Sequence, residues 1–130
     1  MKSSAPDIAV DIRDARARAF VAARLNATGI LTYPGHRPES LAEAYAVQDA
    51  AIDAYPDQMT GWKVGGLSGD WATKLAVDRL AGPVFKANTH GSVPGKVLDM
   101  PVFTEGFAAV EGEVTAVLGA DAPAGKTDYT

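Results

Sequence analysis

Cysteine is absent from the 130 residues, which excludes a disulfide framework and any thiolate metal site. The chain makes no demand for an oxidising compartment. Long hydrophobic runs are missing too: every uncharged apolar stretch falls far short of the ~20 residues that span a bilayer. The opening MKSSAPDIAVDIRD has one lysine but no apolar run suited to a signal peptide. There is no basic cluster, and 12 Lys and Arg against 16 Asp and Glu leave a net charge of −4, so nucleic acid is not an expected partner. Histidine is scarce. His36 lies in a proline-rich loop and His90 in the turn NTHGS, neither with a partner at ligand spacing, so both are expected at the surface. These absences describe a cytoplasmic protein with no membrane partner.

What is present suits one modest domain with a real core. Residues 7–26 predict a helix, with Ile8, Ile12, Ala15, Ala19 and Ala22 at helical spacing. Asp14 and Arg18 stand at i,i+4 in the favourable order, and Gly29 offers a stop. TYPGHRPES, with two prolines and a glycine, is a loop. Ser40 and Glu43 then form an S-x-x-E capping box opening a helix over 40–55. Its expected inner face carries Leu41, Tyr45 and Ile52, beside Ala44, Gln48 and Tyr55, and Pro56 ends it.

Beyond Pro56 the pattern changes. Trp62, Lys63 and Val64 sit between Gly61 and the pair Gly65-Gly66, predicting a short strand and a turn, and a brief helix follows around 71–77. GPVF, PGKVLDMPVF and AAVEGEVTAVLG are short apolar runs punctuated by Gly and Pro, suited to strands. Helices first and strands after give an α+β class, with a helical region over 1–58 and the start of a β-rich domain over 59–130. The strongest predicted strand, 110–118, lies close to the end of the sequence with no closing element after it, so the chain reads as cut short.

That strand carries the most informative residues. Side chains alternate along a strand, so Glu111, Glu113 and Thr115 share one face and Val110, Val114, Ala116 and Leu118 the other. Residues i and i+2 lie roughly 7 Å apart. Two glutamates there can converge on a hard divalent cation, and their mutual repulsion favours one. A solvated strand face gives the same spacing. Lys63, between Trp62 and Val64, is placed to hold a substrate carboxylate or to move a proton with a lowered pKa; a strand lysine resting its stem on Trp62 is the plainer alternative. Asp70, Asp78 and Asp99 read as turn or cap residues. Residues 120–127, ADAPAGKT, loosely fit a phosphate-binding loop with Ala for its first Gly. Asp121 there brings the wrong charge and Pro123 removes an amide donor, so an ordinary turn is the better reading.

In order, AEAYAVQ, GWKVG, GPVF and F-x-x-VEGEVTAVLGAD resemble the 2-oxopent-4-enoate (2-keto-4-pentenoate) hydratase and 4-oxalocrotonate decarboxylase group of the fumarylacetoacetate hydrolase superfamily, over roughly residues 40–121. The resemblance implies an N-terminal helical region and a β-rich catalytic domain. It implies Mg2+ or Mn2+ held by Glu111, Glu113 and a third acid that would lie beyond Thr130, and a site lysine at Lys63. This chain would then be the N-terminal half of a hydro-lyase of aromatic-compound catabolism, inactive in isolation and a homo-oligomer at full length. The implied substrate is a small 2-oxo or 2-hydroxy-dienoic acid chelating the metal through a carboxylate oxygen and the C2 oxygen. Family members often carry an acid shortly before G-x-[VL]-F. Here that place holds Arg79-Leu80-Ala81, with Asp78 the nearest acid, which leaves hydratase, decarboxylase and related hydrolase open. Two readings of other classes stand beside it: a nucleotide-binding module on the GKT loop, and a non-catalytic α+β piece.

Overall fold

Two capped helices begin the architecture, and their caps are local. In the computed structural model, which describes residues 14–128, α1 spans Ala15–Leu25 and α2 spans Leu41–Ala54. The part of the expected first helix before Asp14 lies outside the described residues. Asp14 is the N-cap of α1 and accepts a hydrogen bond from the Arg16 amide at 2.8 Å. It therefore does not pair with Arg18 as its spacing suggested. Its carboxylate binds the Arg16 guanidinium at 2.8 Å instead. Asn26 caps the other end, and Ala27 adopts a left-handed φ of 49°, so the helix stops before Gly29.

Ser40 caps α2 by accepting from the Glu43 amide at 3.1 Å. The return half of the box is shifted by one residue, for Glu43 accepts from the Glu39 amide rather than from that of Ser40. The other Glu43 oxygen takes Arg16 at 2.7 Å, which ties the start of α2 to the start of α1. Arg16 holds Asp14 down at about 2 and lowers Glu43, helped there by the Glu39 amide. Depressed carboxylates stabilise the fold above their unfolded pKa and lose that contribution as pH falls through the folded one. The melting temperature of Arg16→Met should therefore fall less steeply than that of the wild type when pH is lowered from about 4 to 2.

Between the helices lies a small core of Ala17, Val21, Val47 and Ala54, flanked by half-buried Phe20, Ala50, Ala51 and Tyr55. This corrects the expected faces. Leu41, Tyr45 and Ile52 are only half-buried, and Ala15 and Ala22 of α1 are exposed. Apolar residues surround much of α2, so periodicity defines the helix but not its inner stripe.

The second half of the fold is an antiparallel pair, β1 (Met59–Gly66) and β2 (Arg79–Phe85), joined through a short helix α3 (Asp70–Leu75). The register sets Lys63 against Gly82, Val64 against Ala81 and Trp62 against Pro83. Ala81 donates its N–H to the Tyr45 hydroxyl and gives its C=O to Gln48 Nε2, both at 3.0 Å. Residues 45 and 48, one turn apart on α2, thus clamp the outer edge of β2. Such cover removes unpaired backbone from a sheet edge. Two residues along the same edge sits Pro83, which has no N–H to lose there. Phe85, at 2% exposure, anchors the end of β2, its ring 4.3 Å from that of Tyr55.

The α+β class holds, with three α-helices and a two-stranded sheet among the described residues. The further strands expected within 94–103 and over 110–118 do not form. A strand requires a backbone partner, and neither β1 nor β2 pairs with these segments. Val110 and Val114 are fully exposed and Leu118 is 84% exposed, against the expectation that Val114 and Leu118 face inward. One parallel bridge, Thr28 with Thr104, ties the later chain to the end of α1. A Cβ on Gly29 would stand 3.0 Å from the Glu105 backbone, so this glycine serves close approach rather than helix termination. Among the described residues no helix is long and apolar enough to cross a membrane.

Candidate functional site

Lys63 lies mid-strand in β1, and its neighbours in the sheet leave the side chain room: Gly65 follows two residues later and Gly82 stands opposite. Its ammonium extends to residues 48 and 50 positions away in sequence. Nζ donates to Glu111 Oε2 at 3.0 Å and to Glu113 Oε1 in a still closer contact. The three candidates singled out from sequence therefore meet at one point.

Residues 111 and 113 reach that point from a segment that belongs to no strand. Both carboxylates nonetheless turn to the same ammonium. All three side chains are about half exposed or more. The two carboxylates raise the Lys63 pKa, Glu113 more than Glu111. That corrects the alternative of a lysine with a lowered pKa. Lys63 remains charged at neutral pH, and as a raised base it loses its contribution only when pH climbs through its folded value.

Chemically the cluster is one cation held between two anions. It can bind a carboxylate through Lys63 or a hard cation through the two glutamates, but both tasks draw on the same contacts. Magnesium and manganese prefer oxygen donors, and the two carboxylate oxygens are of that kind. No group of three acids or histidines among the described residues could hold a metal.

The remaining candidates lie apart from this cluster. His36 is exposed, with Nε2 3.5 Å from Glu39, and His90 is exposed at the end of the sheet region. Asp70 opens α3, and Asp78 accepts the Leu67 amide through its backbone oxygen. Residues 120–127 form a turn in which Lys126 donates its amide to Pro123 at 3.1 Å, and no helix follows within the described residues. A phosphate loop needs that helix N-terminus. ATP is therefore expected to leave the melting temperature unchanged, in the wild type and in Lys126→Ala alike. Micromolar ATP binding lost in the variant would reverse that assignment.

Sequence reasoning did not find the Tyr45–Gln48 clamp or a cleft of about 620 Å3 between α1, α2 and β2. Both depend on residues distant in the chain, and the only sequence signal for the clamp was two polar groups on an apolar helix stripe. No family model, curated protein or solved structure matches the chain.

Proposed function

We propose that the chain contributes Lys63, Glu111 and Glu113 to a metal-dependent lyase acting on a small 2-oxo or 2-hydroxy-dienoic acid, of the 2-keto-4-pentenoate hydratase type. The observation that carries this reading is the convergence of Lys63 on both glutamates. These are the residues that the motif resemblance implicates, and nothing in the local sequence required them to meet.

Glu111 and Glu113 would hold Mg2+ or Mn2+, completed by a third acid outside the described residues. A bound cation would supply an electron sink for the 2-oxo group. Lys63, released from the two glutamates by the cation, would bind the substrate carboxylate or assist proton movement. A 4-oxalocrotonate decarboxylase would use the same groups for the same charge stabilisation.

Because the ammonium and a divalent cation share the two carboxylates, their competition provides the test. In a manganese titration followed by calorimetry, Lys63→Met should bind the ion more tightly than the wild type. Adding Glu113→Gln to that variant should abolish the gain. Equal affinity in all three proteins would overturn the assignment of the carboxylates.

A further inference from the structure

Net charge is negative and carboxylates outnumber cationic side chains, yet one half-buried guanidinium lacks any of them. Arg24, in the last turn of α1, has no ion pair or hydrogen bond from its guanidinium to any described residue. Its guanidinium instead lies over two rings, 5.2 Å from the centre of Phe85 and 5.6 Å from that of Tyr55. Arg16, on the same helix, satisfies two carboxylates and a carbonyl. Among the described residues, none takes up the Arg24 donors.

Those rings form part of the wall of the cleft between α1, α2 and β2, and Arg24 lines it as well. The other walls are chiefly apolar, including Phe20, Val47, Ile52 and Phe103. A volume of about 620 Å3 lies within the ~300–1,000 Å3 typical of sites that enclose a small organic ligand. One positive group on an apolar cleft fits a ligand of one anionic group on an apolar body. The rings hold the guanidinium by cation–π attraction while leaving its edge N–H groups available to a carboxylate.

We propose that this cleft binds an amphipathic monocarboxylate, with the acid on Arg24 and its hydrocarbon body against Phe20, Ile52 and Phe103. The site is separate from Lys63, Glu111 and Glu113, none of which lines the cleft. It goes beyond the lyase reading and does not depend on it.

Octanoate and octanol have similar apolar bodies and differ in charge, and 2-naphthoate offers an aromatic body. Calorimetric titration of the full chain should show octanoate or 2-naphthoate binding at least about tenfold more tightly than octanol, as a charge-assisted hydrogen bond requires. Arg24→Met keeps the stem on the rings but removes the charge. It should erase the preference for the acid while leaving octanol affinity unchanged, and that retained affinity shows the cleft intact. Arg24→Lys should recover part of the preference. Equal binding of acid and alcohol, no binding of any probe, or an acid preference that survives Arg24→Met would overturn the proposal. So would a protein dimer, seen by sedimentation, whose formation excludes octanoate.

Discussion

Glu113→Gln should cut turnover of 2-hydroxypenta-2,4-dienoate by at least about a hundredfold, in a chain that also carries the third acid. Replacing groups that only support metal ligands typically costs 10–100-fold, and a ligand should cost no less. The substitution keeps the shape of the side chain and removes one of two anions facing Lys63. Manganese should raise the wild-type melting temperature by mass action, and that rise should be lost in the variant. A purely structural ion pair gives another result. Exposed salt bridges contribute about 0–1 kcal/mol, so Glu113→Gln would then change stability little and bring no metal dependence. Glu111→Gln should behave alike, because both carboxylates reach the same ammonium. Wild-type turnover in either variant would sink the lyase assignment. On the lyase reading, the 130-residue chain alone should bind manganese weakly and show no turnover.

Phe85→Ala is expected to destabilise the protein by about 3 kcal/mol or more, the usual range for removing a buried aromatic side chain. Phe85 is 2% exposed, packs on Tyr55, carries the Arg24 guanidinium and lies at the end of β2. Its loss should loosen the sheet from the helices as well as open a cavity. Chemical denaturation followed by circular dichroism would measure the change. The small core makes the expected effect large relative to total stability, for only Ala17, Val21, Val47, Ala54 and Phe85 are buried apolar residues among those described. A loss below about 1 kcal/mol would mean that the β-pair is not anchored through Phe85. Leu118→Ala, at a position 84% exposed, provides the contrast and should be close to neutral.

The elements that the sequence determined by itself are those whose causes are local. Ser40 caps the amide of Glu43 three residues on, so α2 was legible from one tetrapeptide and a following apolar pattern. The glycines around Trp62-Lys63-Val64 and the run GPVF marked β1 and β2, and the α+β order followed from them. The candidate carboxylates were legible in the same way: E-x-E spacing puts two carboxylates on one side of any extended chain.

Tertiary structure decided what depends on partners. The inner stripe of α2 is Val47 and Ala54 because α1 packs there, while Tyr45 and Gln48 turn to the backbone of Ala81. Residues 107–118 have a strand's composition but no backbone partner among the described residues, and composition alone cannot supply one. Arg24 was one helix charge among several until Phe85 and Tyr55 closed around it. The meeting of Lys63 with Glu111 and Glu113 belongs to this second group. Charge complementarity permits that contact, but only the path of the chain between residues 63 and 111 brings the opposite charges within reach, and sequence spacing carries no information about that path.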